Sequence, residues 1–258
     1  MAQAHASAQL IGDRSHQCDA TATHTHNGTR AYVLCDGIGS SDEVQAWTRT
    51  AARLIARAAA RSGDAEAGLR AEYDRYAAEP ERKSPFADLP NACAAVAVTA
   101  PGKPLTVAWC GDVRAYTLTP GGTLRCLTAD HNRRRVFGGS RNVVTSYLGA
   151  TESDDERRQE YNHAAIESAT APADACRLLL ASDGAYEPLE DSCRDLTHYL
   201  DGSPKRAADT FVAAAVDHAS SHADNATVLV ADLPALKSQG LATAQGWVYT
   251  KRAATIID

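Results

Sequence analysis

No stretch of this chain approaches the ~18 consecutive apolar residues of a membrane span, so an integral membrane protein is not expected. The opening "MAQAHASAQLIGDRSH" has neither the cationic start nor the apolar core of a signal peptide, which predicts a cytoplasmic protein. Seven cysteines (18, 35, 93, 110, 126, 176 and 193) are odd in number and contain no C-x-x-C pair. A disulfide framework is thereby excluded, and reduced thiols in a reducing compartment are expected. Zinc spacing is absent too: His24-x-His26 offers two ligands where a site needs four, and reads as a surface feature. Basic clusters are missing apart from Arg133-Arg134-Arg135. With 26 basic residues against 32 acidic ones, a net charge of −6, the chain has no footing for nucleic acid. There is no internal repeat, no low-complexity linker and no regular βαβα alternation, which argues against a doubly wound parallel sheet.

What is present is an ordinary globular composition, 44% hydrophobic and 22% charged over 258 residues, long enough to bury a proper core. Strands are predicted at 7–13 and 30–35, the second entered through Asn27-Gly28, a pair suited to a type I′ hairpin turn. Val44, Trp47, Ala51, Leu54, Ile55 and Ala58 recur at helical spacing, with Ser41 or Asp42 as cap. A second helix carries Leu69, Tyr73 and Tyr76 and ends before Pro80. Two hairpins follow, 92–99 with 105–110 and "RAYTLT" with "TLRCLT". Residues 129–174 read as polar and irregular, with a solvated charged run at 154–158. A strand "RLLLAS", a helix capped by Ser203 with Pro204 in its first turn, and a strand at 226–232 complete the pattern. A β-sandwich flanked by helices fits this order. Residues 1–233 form the expected domain, and 234–258 a C-terminal extension without clear periodicity.

The chemistry lies where apolar runs meet acid. "YVLCDGIGSSDE" ends a run on Asp36-Gly37, "LTVAWCGDVRAY" on Asp112, and "RLLLASDGAYEPLED" on Asp183-Gly184, while "SSHADNATVLVADL" sets Asp224-Asn225 just before a run. Taken singly, an Asp-Gly pair is a turn. Four acidic strand ends are a candidate site for hard divalent cations, which take carboxylate and carbonyl oxygens. Two such ions close together are a standard device for hydrolysing phosphate esters. Arg14 is then a candidate for holding phosphate oxygens in a bidentate grip, and Asp19 for orienting water.

In order, "GDRSHQCDA", "LCDGIGSS", "VAWCGDVRAY", "LTADHN", "VTSYLGA", "LLLASDGAYEPLE" and "HADNATVLVAD" resemble the metal-dependent protein phosphatase family PP2C in its bacterial form, over about residues 7–233. The resemblance implies an α+β fold, a four-layer α-β-β-α sandwich of two antiparallel sheets flanked by helices. It implies hydrolysis of phosphoserine and phosphothreonine on proteins by water activated at a binuclear Mg²⁺ or Mn²⁺ centre, without a phosphoenzyme. By motif, Asp36 bridges the metals, Gly37 lends its carbonyl, and Asp183 and Asp224 complete the shell. Arg14 binds the substrate phosphate and Asp19 orients water. Asp112, with Asp183, supports a third and weaker metal. Residues 133–147 take the place of the flap that shapes substrate access. The expected partners are phosphoproteins made by a Ser/Thr kinase, met by a monomer away from membranes.

The chain departs from the family at two places. The first motif usually reads Glu-Asp, and here Cys18 precedes Asp19. His often follows the first Asp-Gly, and here Ile38 does. Cys18 favours an alternative, a catalytically weak or inactive PP2C-fold module that binds phosphoproteins. Arg114 reads as a structural ion-pair partner, Asp130-His131 as a hydrogen-bonded pair, and Trp47 and Trp109 as core.

Overall fold

The structure, a computed structural model, describes residues 4–84, 88–171, 174–220 and 222–235. Most of the C-terminal extension, 236–258, lies outside the described residues. Two five-stranded antiparallel sheets form the centre. In one, the order is β1 (His5–Leu10), β10 (Ala226–Leu233), β9 (Cys176–Ala181), β6 (Arg114–Leu118) and β7 (Leu124–Cys126). In the other it is β2 (Ala20–His26), β3 (Thr29–Ile38), β4 (Asn91–Thr99), β5 (Leu105–Cys110) and β8 (Glu167–Ala171). Helices α1 (Asp42–Ser62) and α2 (Ala65–Ala77) cover the second sheet. Helices α5 (Asp183–Asp191) and α6 (Pro204–His218) cover the first. The short α3 (Arg133–Phe137) and α4 (Asp154–Tyr161) lie in the long connection between β7 and β8. This is the four-layer α-β-β-α sandwich.

Three apolar layers hold it together. Between the sheets lie Tyr32, Leu34, Trp109, Leu178, Leu180 and Leu229. Alternate residues of the same strands face outward: Leu179, Val228 and Val230 meet Tyr186 and Phe211 of the helices. Both faces of β9 and β10 are therefore buried, which is why they read as unbroken apolar runs rather than alternating ones. On the other side Ala51, Ile55 and Ala59 of α1 pack on Val33 and Val96. Each fully buried Leu or Ile stabilises the fold by about 1.5–3 kcal/mol.

Local signals act where the chemistry puts them. Asn27 and Gly28 both take positive φ, 47° and 78°, as the hairpin turn requires. Ser41, Asp64 and Ser203 cap α1, α2 and α6 through their side chains. The first strand lies at His5–Leu10 rather than 7–13, and Ala20–His26 forms a strand that was not expected. Three further details differ. The β3 strand does not stop at Asp36-Gly37 but runs on to Ile38, because Asp36 and Gly37 pair with Cys93 and Ala92 of β4. Asp183-Gly184 is not a turn but the first turn of α5, which tolerates Pro188 in its interior. The charged run at 154–158 is helical: Ser153 and Glu156 form a capping box, and Asn162 closes the helix in the left-handed region.

Candidate active site

Asp36, Gly37, Asp112, Asp183, Asp224 and Arg14 line one cavity of about 560 Å³, open to solvent at the edge of the two sheets. The backbone brings them together by close approach. A Cβ on Gly37 would stand 2.7 Å from the Cys18 carbonyl oxygen and 2.7 Å from Thr48 Oγ1. One on Gly184 would stand 2.3 Å from the Asn225 carbonyl oxygen. Only glycine lets the start of α5 pack against the start of β10, so that Asp183 and Asp224 face one space. Asp183 Oδ1 accepts from the Gly184 N–H at 2.6 Å, and Asp224 Oδ1 from the Asn225 N–H at 2.7 Å. The second oxygen of Asp224 is held by Arg14, and the Asp183 carboxyl bonds to Asp36.

Asp19 does not line the cavity. It is buried behind it, with Oδ2 accepting from Ser182 Oγ at 3.0 Å and Oδ1 without a hydrogen-bond partner. Arg14 sits in the loop after β1, and its Nη2 donates to Asp224 Oδ2 at 2.5 Å.

Burial, then neighbouring carboxylates, makes these acids harder to ionise. Asp19 is pushed up to about 7 by burial and by Asp183, and Asp112 up to about 8 by burial and Asp183. Asp36 lies well above the ordinary range, through burial and then Asp19, Asp183 and Asp112. Asp183 is raised by burial and Asp224. Such a set is an electrostatic debt that a divalent cation cancels. The donors are all hard oxygens and the cavity is open to solvent, so the residues fit Mg²⁺ or Mn²⁺ and not zinc. Among the described residues no three His, Cys, Asp or Glu side chains are already gathered around an ion-sized point.

Several contributors escaped the sequence reading. Asn225 accepts at Oδ1 from the Cys18 N–H (2.7 Å) and donates from Nδ2 to the Ile11 carbonyl (2.9 Å), clamping both ends of the Arg14 loop. Its only signal was its place beside Asp224. Cys18 is fully buried, its thiol facing the Ser41 carbonyl at 3.8 Å, and burial pushes it up. On the opposite rim Arg141 bridges to Glu187 (2.9 Å) and Asp191 (2.5 Å) of α5. Arg114 is a structural partner as expected, bidentate to Asp130 at 2.8 Å and bound to Glu190 at 2.8 Å. His131 does not pair with Asp130. Its Nε2 meets Glu167 Oε2 at 3.1 Å, while its backbone N–H donates to the Gly111 carbonyl next to Asp112. The sequence neighbours diverge because Asp130 is taken by Arg114.

The family model described as protein phosphatase 2C matches residues 4–135, just over half of the chain. The chain belongs to the protein phosphatase 2C family. PP2C proteins are protein serine/threonine phosphatases, hydrolases that act on phosphoproteins. Solved structures share the fold at low identity. PppA of Pseudomonas aeruginosa, described as a key regulatory component of T6SS, is 21% identical with a TM-score of 0.68, over 89% of this chain and 96% of its own. The catalytic domain of the phosphatase PstP, in complex with two manganese ions, is 23% identical with a TM-score of 0.65, over 90% and 98%. MsPP of Mycobacterium smegmatis, a PPM Ser-Thr phosphatase in complex with cacodylate, is 21% identical with a TM-score of 0.66, over 89% and 97%. No curated protein matches the chain. Among the described residues no helix is long and apolar enough to cross a membrane.

Proposed function

We propose that residues 1–233 form a phosphatase domain that hydrolyses phosphoserine and phosphothreonine on proteins, opposing a Ser/Thr kinase in the cytoplasm. The observation that carries this reading is the facing of Arg14 and buried carboxylates across one open cavity. Asp36, the Gly37 carbonyl, Asp183 and Asp224 would hold two Mg²⁺ or Mn²⁺ ions, and Asp112 with Asp183 a third, weaker one. When bound, the ions supply positive charge that makes water a nucleophile near neutral pH and offsets charge on the phosphoryl oxygens. Arg14, released from Asp224, binds the phosphate through two parallel N–H donors and aligns it. Asp19 and Ser182, locked together behind the cavity, hold a water-orienting oxygen in place. Ile38 carries no proton, so the leaving oxygen takes its proton from solvent in the open cleft. Free thiols at all seven cysteines, with Cys126 and Cys193 exposed, support a reducing compartment.

A second reading, a module that binds phosphoproteins with little turnover, is favoured by the thiol at Cys18. One experiment separates the two. Purified protein is given a phosphothreonine peptide with Mn²⁺ or EDTA, beside Asp36→Ala, Asp183→Ala and Cys18→Glu. Mn²⁺-dependent phosphate release, reduced in both alanine variants beyond the roughly 10–100-fold that losing an outer partner costs, is expected. Peptide binding without turnover in the wild type, with turnover gained in Cys18→Glu, supports the second reading.

A further inference from the structure

Beside the catalytic cavity, with Val144 as a wall common to both, lies a second groove of about 380 Å³ lined by Arg133, Phe137, Val143, Val144, Glu160 and Tyr161. Phe137 is 59% exposed and Val143 44% exposed, two of the few large apolar side chains left in water among the described residues. They are held rather than loose. Asn132 pairs with Val144, the Arg133 N–H donates to the Val143 carbonyl at 2.9 Å, and Asn132 Oδ1 accepts from Arg135 N to cap α3. Phe137 meets Tyr161 edge to face at 6.1 Å, and the Arg133 guanidinium stands 5.8 Å over the Phe137 ring. The groove therefore exists before anything enters it, and a preformed site spares a ligand the cost of ordering it. Aromatic rings with an arginine beside them are the composition of a binding hot spot rather than of a bare surface.

We propose that this groove docks the segment of the phosphoprotein substrate next to the phosphorylated residue, and that it selects an apolar side chain accompanied by an acidic one. The occupant follows from adjacency: a polypeptide whose phosphate reaches Arg14 must leave the cavity over its rim, and Val144 lies between the cavity and the groove. The apolar preference follows from Phe137, Val143 and Tyr161. The acidic preference follows from Arg133 in the lining and its exposed chain neighbour Arg134. The two arginines outnumber the groove's one carboxylate, Glu160. Specificity would then be set by residues that touch neither metal nor phosphate. This inference rests on the phosphatase reading above.

The test is fluorescence anisotropy with two labelled phosphothreonine peptides, one flanked on both sides by Glu-Leu and one by Ala-Ala. The Glu-Leu peptide is expected to bind about five- to tenfold tighter to the wild type. The preference should shrink to about twofold or less in Phe137→Ala and in Arg133→Ala, both surface changes that leave the core intact. Equal affinities, no binding of either peptide, or a preference that survives both substitutions would overturn docking here. Turnover of p-nitrophenyl phosphate by the wild type is followed separately. Its absence speaks against the phosphatase reading, whereas turnover together with indiscriminate peptide binding removes only the groove.

Discussion

The floor of the cavity and the segment that borders it both concentrate carboxylates, but they neutralise them differently. On the border each acid has an arginine: Asp130 and Glu190 have Arg114, Glu167 has Arg135, and Glu187 and Asp191 have Arg141, although burial and Asp183 still hold Glu187 up at about 7. Burial opposes ionisation of Glu167, yet the bonds from His131 and Arg135 overcome it and hold the carboxyl down at about 2. On the floor Asp36, Asp112 and Asp183 face one another, with Asp19 buried behind them and Arg14 engaged by Asp224. A border of matched pairs is a frame. A floor of unmatched acids is a place kept for something that arrives from outside, and the mismatch is a stronger functional sign than any one residue.

The comparison can be broken most forcefully by supplying the missing charge. Raised folded-state values mean the native floor binds more protons than the unfolded chain. Its contribution to stability is therefore present below about 4 and lost as pH rises to the 7–8 of Asp19 and Asp112. In urea, EDTA-treated protein should be weaker at pH 8 than at pH 6. Mn²⁺ at a hundredfold excess over Kd should add about 3 kcal/mol, with more gained at pH 8 because ligands must be ionised to bind. Asp36→Asn should flatten the alkaline slope.

Next in size is the loss of a frame cation. Arg114→Met strands Asp130 in a half-buried site and removes the guanidinium from 3.9 Å above the Tyr186 ring. About 2–3 kcal/mol of stability should go, at both pH values, with the Mn²⁺-induced gain in urea stability retained. A floor substitution should do the reverse. The smallest effect belongs to His131, which burial pushes down to about 4 against the pull of Glu167. The unfolded chain takes up that proton near 6.5, so stability is lost as pH falls from 6.5 to 4. The difference between wild type and His131→Asn in urea should shrink across that window, the opposite sign to the floor.

Much of the fold could be read from local chemistry. The Asn27-Gly28 turn, the Ser41 and Ser203 caps and the doubly buried β9 and β10 declare themselves in composition and spacing. The acids that meet in the cavity were visible because each interrupts an apolar run. What escaped needed partners far away in sequence. Residues 154–161 have too little apolar surface to show helical periodicity, and a capping box rather than a buried face fixes the helix. Asp183 opens a helix instead of a turn because Gly184 must nestle on Asn225. Asn225 earned its role by reaching Ile11 and Cys18, more than 200 residues away. Asp130 and His131, adjacent in the chain, part company because Arg114 and Glu167 claim one each.

The pairing of β1 with β10, His5 against Ala231 through Leu10 against Ala226, sets an order of assembly. The first strand of the fold has no neighbour in its own sheet until the last strand has been synthesised. Asp183, Asp224 and the Arg14 loop all hang from that sheet, so the cleft is among the last parts to form on a growing chain. The second sheet with α1 and α2 depends chiefly on earlier residues and can begin to pack first. During synthesis the acidic floor thus stays open to water, and its carboxylates are spared one another's company until the closing strand arrives.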